Sequence, residues 1–423
     1  MSGSLSNLKK AAYGLLFLPH RFAPWVLMLA LLLAAPLHAS TPTLVLVSID
    51  GFRHDYLDIH AAPHLSALAK AGVRVERLQP IYPPNTFPAH LSLITGVTPP
   101  HHGVVDNTFC HRARGDCYRM GMGAKDPGWL KAVPLWNWVK QQGFKSATYF
   151  WPESDARWGG QQPDHFFPYD KGVPYAKRVS QVLDWLALPE PERPRLITLY
   201  FSAVDSAGHR YGPLAPQTAK AVAKVDAHIG DLLAGIAKLG PNSANVLVVS
   251  DHGMAEITGA QAIRARELPN PKGFERMVSH SRVRYYATNA ASAAQVDELV
   301  STLKARSQGR WQTLTALEAM ALGGADEQTV ADITLVTHAP ASFVHRAMAA
   351  TATEGSHGYL LSDPQMDAFA VAYGPAFKAG AVITEAHQLD VVPLAAAVMG
   401  LAAPPNLPSD GGALLSALRS HTP

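Results

Sequence analysis

Three acidic residues come directly after long apolar segments of the sequence, and histidines accompany two of them. Asp50 ends "LVLVSID", Asp205 ends "ITLYFSAVD" with His209 four residues later, and Asp251 and His252 end "VLVVSDH". In open α/β sheets, ligands bind beyond the carboxyl ends of the strands. A single acid at such a place could cap a helix, but three of them indicate a reaction centre.

His357, in "GSHGY", brings the set to three carboxylates and three imidazoles. These oxygen and nitrogen ligands suit Zn²⁺, and six of them make two half-sites that each leave one coordination position open. Two metal ions about 4 Å apart can stabilise both the attacking and the departing oxygen of a displacement at phosphorus. The sequence therefore predicts a centre for two zinc ions.

One hydroxyl, that of Thr86 in "PPNTFPAHLSLITG", precedes a helical pattern between prolines. Two roles compete for it. A threonine at this place can cap the helix, or it can be a nucleophile whose pKa a nearby cation lowers. The positive end of the helix also favours a bound anion. We expect Thr86 to attack phosphorus, with the backbone N–H of Phe87 helping to hold a phosphoryl oxygen.

The remaining pattern predicts the elements that position these residues. Continuous runs of β-branched and aliphatic residues predict buried strands at 43–49, 145–150, 195–202, 245–250 and 367–373. Helical periodicity is found at 63–71, 88–95, 132–142, 216–238 and 387–399. Strands alternating with helices are typical of an α/β fold with a largely parallel central sheet flanked by helices. We expect a smaller inserted subdomain around 260–345, with weak strands near 283–287 and 332–337 and a helix near 293–306.

The first 40 residues differ from the rest. They carry three basic residues, no acidic ones and the apolar run "VLMLALLLAA" followed by small residues. This pattern predicts a secretory signal peptide cleaved near Ala39, or an N-terminal anchor if it is retained. Residues 41–423 are then a single catalytic domain of an exported, periplasmic protein. Of the 36 basic residues 33 remain, against 33 acidic ones, so no overall positive field favours duplex nucleic acid or a membrane surface.

Two cysteines, Cys110 and Cys117, lie seven positions apart. In an exported protein they favour a disulfide that closes a short loop, with a pair of free thiols as the alternative. They do not resemble zinc ligands, because the chain has no second cysteine pair.

Several stretches together resemble one known family. They are "LVSIDGFRHDYL", "PPNTFPAHLSLITGVTPPHHGVVDN", "WPESDARWGG", "DSAGHRYGP", "VSDHGM" and "GSHGYLLSDPQMDAFAVAYGPAFK". The chain is similar over about 43–412 to the nucleotide pyrophosphatase/phosphodiesterase family of the alkaline phosphatase superfamily. The resemblance implies an alkaline-phosphatase-like fold. The stretch 108–131 departs most from the family pattern, and we expect it to form part of the substrate rim.

The resemblance also implies roles for individual residues. One zinc ion is held by Asp205, His209 and His357, and the other by Asp50, Asp251 and His252, which Thr86 also contacts as the nucleophile. Asn107 matches an asparagine that holds a phosphoryl oxygen. Residues matching the pocket for the base or another part of the substrate are Phe87, Tyr200, Tyr169 and Lys125.

The leading functional hypothesis is a two-zinc phosphodiesterase or nucleotide pyrophosphatase. It releases a nucleoside monophosphate through a covalent intermediate on Thr86. The alternative is another small-molecule hydrolase on the same fold, acting on lipid or choline head groups, phosphonates or phosphate monoesters. A sulfatase is disfavoured because neither Cys nor Ser replaces Thr86. A protein that only binds ligands is disfavoured because all six metal ligands and the nucleophile are present.

Overall fold

The computed structural model of the protein describes residues 43–240 and 242–419. The predicted signal peptide or anchor at 1–40 lies outside the described residues. Eighteen strands are numbered here in chain order: β1 Thr43–Ile49, β2 Val73–Gln79, β3 Thr108–His111, β4 Asp116–Arg119, β5 Ser146–Tyr149, β6 His165–Phe166, β7 Leu196–Phe201, β8 Ala244–Val249, β9 Ala255–Thr258, β10 Ala262–Arg264, β11 Phe274–Val278, β12 Arg282–Ala287, β13 Gln312–Thr315, β14 Ile333–Val336, β15 Ser342–Val344, β16 Thr353–Ser356, β17 Ala368–Tyr373 and β18 Ala381–His387.

The helices of the described residues are of very different lengths, from single turns to 23 residues. In chain order they are α1 Tyr56–Ile59, α2 Pro63–Ala71, α3 Thr86–Thr95, α4 Pro99–His102, α5 Leu135–Gln141, α6 Tyr175–Leu186, α7 Ala203–Tyr211, α8 Pro216–Lys238, α9 Ala293–Ser307, α10 Ala316–Met320 and α11 Val391–Val398.

Eight strands form the central sheet in the order β18-β2-β17-β8-β1-β7-β5-β6. Its pairings are parallel except those of β17, which runs antiparallel to both β2 and β8. The predicted α/β fold with a largely parallel sheet is therefore confirmed. All five predicted strands are present as β1, β5, β7, β8 and β17.

The central sheet is covered on both faces, which explains why its middle strands read as continuous apolar runs. Along β1, Leu44 and Leu46 belong to a core that includes side chains of α3, α5 and α11. Val45 and Val47 point into a second core with side chains of α2, α6 and α8. Because side chains alternate between the two faces of a strand, successive residues of β1 belong to two different hydrophobic cores.

Some elements escaped the sequence analysis. Strands β2 and β18 were missed because both are partly exposed and neither is a continuous apolar run: charged residues interrupt β2, and β18 contains Thr384, Glu385 and His387. Helices α6 and α7 were also missed. The latter changes the setting of Asp205, which lies in the first turn of α7 rather than in a loop. The predicted helix at 387–399 is a short 3₁₀ turn, Gln388–Asp390, followed by α11.

A second sheet lies within the segment expected to be inserted. Its four antiparallel strands have the order β11-β12-β14-β13, and helix α9 contacts β13. A separate core of this segment contains Val283, Tyr285, Leu299 and Leu303. The strands expected near 283–287 and 332–337 correspond to β12 and β14. We refer to β10–β15 with α9 and α10 as the inserted subdomain.

A disulfide joins Cys110 and Cys117, as predicted. The two residues face each other across the β3–β4 hairpin, which starts directly after Asn107. The bond therefore closes the hairpin that follows a candidate site residue.

We expect the free energy of unfolding of the double variant Cys110→Ser/Cys117→Ser to be about 2 kcal/mol lower than that of the wild type. Without the disulfide, the unfolded chain has more conformational entropy. Urea denaturation of both proteins measures the difference. Wild type treated with reductant should lose a similar amount, and an unchanged free energy of unfolding would contradict the assigned role of the bond.

Candidate active site

Three neighbouring strands of the central sheet bring the acidic residues together. Asp50 follows β1, Asp251 comes two residues after β8, and Asp205 enters α7 just after β7. Strand β1 pairs in parallel with both β7 and β8. The three carboxylates therefore meet at the carboxyl edge of the sheet, as expected for a ligand site in this architecture.

Gly51, which directly follows Asp50, lies against both of the other acidic residues. Its φ of +68° lies in the left-handed region that favours glycine. Its N–H donates to Asp251 Oδ1 at 3.0 Å. A side chain at this position would meet the Cα of Asp205 at 2.9 Å. The glycine after Asp50 thus lets the turn after β1 pass between the other two acidic residues.

The six predicted ligands form one continuous cluster. His252 Nε2 lies 3.0 Å from Asp251 Oδ2 and 3.5 Å from Asp50 Oδ1. On the other side, Asp205 Oδ1 lies 3.3 Å from His209 Nε2. The remaining ligand, His357, joins the two groups, because its Nε2 is 3.1 Å from that of His209 and its ring stacks on His252 at 3.6 Å.

The three imidazoles are held in the same way. In each, Nδ1 lies on a backbone carbonyl: His209 on Gly355 at 3.0 Å, His252 on Gly253 at 2.9 Å and His357 on Pro84 at 2.9 Å. Because a carbonyl can only accept, each Nδ1 carries a proton, and each Nε2 can direct a lone pair into the cluster once a cation has displaced any proton on it. This arrangement is typical of histidines that bind a metal ion.

Three carboxylate oxygens in the cluster are buried and accept no hydrogen bond of ordinary geometry, and only imidazole nitrogens approach them. They are Asp50 Oδ1, Asp205 Oδ1 and Asp251 Oδ2. Burying an anionic oxygen unpaired is costly, so such atoms are normally paired or bind a cation. Ligand atoms within 4.8 Å of one another form two groups, Asp50 with Asp251 and His252, and Asp205 with His252 and His357. These oxygen and nitrogen donors fit zinc well.

The charges of the ion-free cluster are balanced internally. Burial disfavours the charged form of Asp205, but the neighbouring histidines, His209 above all, together outweigh burial and lower the pKa of Asp205 to about 2. Burial lowers the pKa of His209, but the charge and hydrogen bond of Asp205, with the Gly355 carbonyl, together outweigh burial and raise this pKa to about 9. Burial, reinforced by the negative charge of Asp251, raises the pKa of Asp50. Cations that bind here would displace these protons.

Thr86 is the first residue of helix α3, and Asn85 is the N-cap. No side-chain hydrogen bond caps this helix, so the capping role considered for Thr86 is not what its hydroxyl does in the structure. The Thr86 hydroxyl oxygen instead lies 3.4 Å from His252 Nε2. It therefore faces the group formed by Asp50, Asp251 and His252.

The role expected for the backbone N–H of Phe87 was wrong. This N–H donates to Asn107 Oδ1 at 2.9 Å, so it is not free to hold a phosphoryl oxygen. Because a backbone N–H can only donate, the amide oxygen of Asn107 must face it. The Nδ2 group of Asn107 is then left as the donor. The site thus presents a side-chain donor where a backbone donor was expected.

The four predicted pocket residues have different surroundings. Phe87 is half-buried, and Tyr169 is 53% exposed with its ring 6.1 Å from that of Tyr200. Tyr200 itself is only 7% exposed and donates to Asp50 Oδ2 at 2.5 Å. It therefore positions Asp50 rather than offering an open ring face. Lys125 is exposed in the loop after the β3–β4 hairpin.

Asp106, which no sequence pattern singled out, is buried behind the site. Its Oδ1 accepts from Asn85 Nδ2 and from the backbone N–H of Asn107, both at 2.7 Å. Its Oδ2 accepts from Arg282 at 2.9 Å and lies 2.6 Å from Arg284 Nη1. These two charges hold the pKa of Asp106 below its ordinary value despite its burial. Asp106 thereby joins Asn85 and Asn107 to strand β12 of the inserted subdomain.

His90 was missed as well, although it lies one helical turn after Thr86. It is fully buried, and its Nδ1 lies 2.8 Å from the carbonyl oxygen of Thr86 and 3.2 Å from Asp251 Oδ2. Its Nε2 contacts Ser48 Oγ at 2.8 Å. His90 therefore fixes the start of helix α3 against the sheet. The sequence does contain a signal for His90, because it lies four residues, or one helical turn, after Thr86.

Comparison with known proteins gives a consistent result. A family model described as type I phosphodiesterase / nucleotide pyrophosphatase matches residues 44–360. Ectonucleotide pyrophosphatase/phosphodiesterase family member 1 of Mus musculus is 30% identical over 386 residues, which are 89% of this chain and 43% of the mouse protein. A venom phosphodiesterase of Crotalus durissus collilineatus is 36% identical over 219 residues, or 51% of this chain and 26% of that protein. The chain spans less than half the length of these relatives.

Solved structures support the fold. Human ectonucleotide pyrophosphatase/phosphodiesterase 5 superposes with a TM-score of 0.81 at 24% identity, covering 89% of this chain and all of that one. The murine protein, solved as an inactive variant in complex with AMP, superposes with a TM-score of 0.80 at the same identity and the same coverage. With the family model matching most of its length, the chain belongs to the type I phosphodiesterase / nucleotide pyrophosphatase family.

Proposed function

We propose that the protein hydrolyses phosphodiester or phosphoanhydride bonds of nucleotides with two zinc ions and a covalent intermediate on Thr86, releasing a nucleoside monophosphate. The observation that carries this proposal is the convergence of unpartnered carboxylate oxygens and imidazole Nε2 atoms beside the Thr86 hydroxyl. Membership of the family supports the reaction class. The complex of a structural relative with AMP supports a nucleotide as the substrate.

Two sets of residues would hold the ions. We assign Asp50, Asp251 and His252 to one ion, and Asp205, His209 and His357 to the other. His252 Nε2 also lies close to Asp205 and His357, so the two sets adjoin. Bound zinc would supply positive charge that lowers the pKa of a hydroxyl and balances negative charge on the reacting phosphoryl group.

The chain's own groups would carry the remaining steps. Asn107 Nδ2 donates to a non-bridging oxygen while the Thr86 oxygen forms a bond to phosphorus and its proton passes to solvent. The bond from phosphorus to the leaving group breaks, and the electron pair departs with the leaving group. Water then attacks phosphorus from the vacated side and releases Thr86. One water is consumed, and the two inversions retain the configuration at phosphorus.

Phe87 and Tyr169 are the candidates for stacking against the base. The ring of Phe87 is half-buried and that of Tyr169 is exposed, so both leave part of a ring face open beside the site. Lys125 would contribute at the edge of this pocket, whereas the buried Tyr200 would act through Asp50, which its hydroxyl positions. Aromatic faces also bind quaternary ammonium, which keeps a choline phosphodiester as the competing substrate. A phosphate monoester fits less well, because the neutral amide of Asn107 offers less to a dianion than a cationic side chain would.

A panel of substrates tests this function. We expect kcat/KM for p-nitrophenyl thymidine monophosphate to exceed that for p-nitrophenyl phosphate and for glycerophosphocholine by at least about a hundredfold. A binding site that hydrogen-bonds its substrate discriminates against analogues that leave its polar groups unpaired. Release of thymidine monophosphate, followed by chromatography, identifies the bond that breaks. Faster hydrolysis of the monoester or of the choline diester would overturn the proposal.

The proposed place of action is the periplasm or the cell exterior, which rests on the predicted signal peptide and on the disulfide. Within residues 43–240 and 242–419, we find no helix with the length and apolar character needed to cross a membrane.

A further inference from the structure

A closed network of hydrogen bonds surrounds the start of helix α3, and Asp106 completes it. Asp106 Oδ1 accepts from Asn85 Nδ2 and from the backbone N–H of Asn107, both at 2.7 Å. Asn107 Oδ1 in turn accepts from the backbone N–H of Phe87 at 2.9 Å. Thr86 lies between Asn85 and Phe87 in the chain, so its backbone is part of the closed network. The network therefore ties the position of Thr86 to that of the Asn107 side chain.

The side chain of Asn85 serves this network instead of capping the helix. Asparagine is a favoured N-cap because its side-chain oxygen accepts from an N–H of the first helical turn. Asn85 is the N-cap of α3 but makes no such bond, and its Nδ2 donates to Asp106. The N–H of Phe87, one of those that a helix start leaves free, is satisfied by Asn107 from outside the helix. The start of α3 is thus held by a distant segment rather than by a local cap.

Two arginines of the inserted subdomain hold Asp106 in place. Its Oδ2 accepts from Arg282 Nη2 at 2.9 Å and lies 2.6 Å from Arg284 Nη1. One carboxylate oxygen therefore serves the arginines, and the other serves the network. The three side chains are buried, and a buried ion pair often contributes no more stability than apolar residues of similar size, because its charges must be desolvated. What these charges do provide is a fixed position for the carboxylate.

The two groups that the network connects are the ones that would act on the phosphoryl group. In the proposed function, the Thr86 oxygen attacks phosphorus while Asn107 Nδ2 donates to a non-bridging oxygen on the same atom. Both groups must reach one phosphoryl group at the same time, and a misplacement of about 1 Å can lower the rate about a hundredfold. Asp106 is 3% exposed and both of its oxygens are occupied, so it would act through its partners.

We infer that Asp106 is a positioning residue, which sets the spacing between the Thr86 hydroxyl and Asn107 Nδ2 so that the attacking oxygen and the donor meet the same phosphoryl group. This inference rests on the proposed function. It assigns Asn85 the same role at the start of the helix. It also gives the inserted subdomain a part in the reaction, because the two arginines of β12 hold the carboxylate.

The test compares p-nitrophenyl thymidine monophosphate with its two phosphorothioate diastereomers, in which sulfur replaces one or the other non-bridging oxygen. Sulfur is a weaker hydrogen-bond acceptor than oxygen, so kcat/KM should fall when sulfur faces Asn107 Nδ2. Asn107→Ala identifies this diastereomer, because loss of the donor lowers its ratio of kcat/KM values, oxygen ester over thio ester. The folded fraction of the protein cancels in this ratio, so a change in the ratio reports the contact itself.

We expect Asp106→Asn to lower kcat/KM for the oxygen ester about a hundredfold. Asn85→Ala should lower it about tenfold, the effect of losing one hydrogen bond to a charged group. Both variants should lower the same ratio of oxygen ester to thio ester as Asn107→Ala. Asn137→Ala, which truncates another buried asparagine on α5, outside the network, should leave the ratio unchanged.

A loss of kcat/KM with no change in the ratio would overturn the positioning role, because a smaller folded fraction has that effect. Unchanged kinetics in both variants would overturn it as well, and so would an Asn107→Ala protein in which neither ratio falls. Asp106→Asn leaves two buried arginines without a counter-ion. If it does not fold, the uncharged change Asn85→Ala gives the answer. A wild-type protein that hydrolyses none of the esters gives a different result, because it overturns the proposed function itself.

Discussion

The variant Thr86→Ala should lose kcat by about 10⁴-fold or more, while Thr86→Ser keeps substantial turnover. The reason is geometric. The Thr86 hydroxyl faces the metal-ligand cluster, 3.4 Å from His252 Nε2, and the first turn of helix α3 contains no other hydroxyl. Because that hydroxyl makes no capping bond, alanine should cost the fold less than the roughly 1 kcal/mol of a lost cap. Activity and stability therefore separate at this residue.

Steady-state hydrolysis of p-nitrophenyl thymidine monophosphate measures the loss, with zinc content and urea denaturation run on the same preparations. Thr288→Ala provides the matched control, since Thr288 is exposed on the inserted subdomain. A quenched reaction with labelled nucleotide should also leave a nucleotidyl group on the peptide that contains Thr86. A zinc-loaded Thr86→Ala protein that turns over at nearly the wild-type rate would exclude Thr86 as the nucleophile.

The ends of the central strands were predictable from the sequence for a simple reason. A central strand buried on both faces is apolar at nearly every position, so the first charged residue after such a run marks the edge of the sheet. This applies directly to Asp50 and to Asp251. Asp205 required more, because helix α7 begins between the strand and the acid. The half-exposed strands β2 and β18 lack the continuous apolar signal and were missed.

Contacts between distant parts of the chain could not be read from local patterns. Asp106 meets Arg282 across 176 positions of sequence, and nothing near either residue indicates the other. The arginines of β12 instead weaken the apolar pattern of a strand that is in fact buried. Tyr200 illustrates the same limit, since the hydroxyl of a tyrosine on a core strand reaches Asp50 only because β7 is the neighbour of β1.

The purified protein should contain about two zinc ions per chain, and removing them with a chelator should abolish turnover until zinc is restored. Without cations, three buried carboxylate oxygens remain unpartnered, and burial together with the charge of Asp251 raises the pKa of Asp50. The ion-free protein should therefore also unfold at a lower temperature than the loaded one, because ligands that bind only the folded state stabilise it.

Variants can distinguish the two half-sites by metal content alone. Asp205→Asn removes an anionic ligand from the group with His209 and His357, so we expect about one zinc ion per chain by elemental analysis. Asp297→Asn makes the same chemical change on the exposed surface of α9 and should retain two. Full turnover after verified removal of metal would contradict a metal-dependent centre. Unaltered zinc content in Asp205→Asn would instead show that this half-site is wrongly assigned. The carboxylate of Asp205 would then not be needed to hold an ion, and its buried oxygen would have to be stabilised in another way.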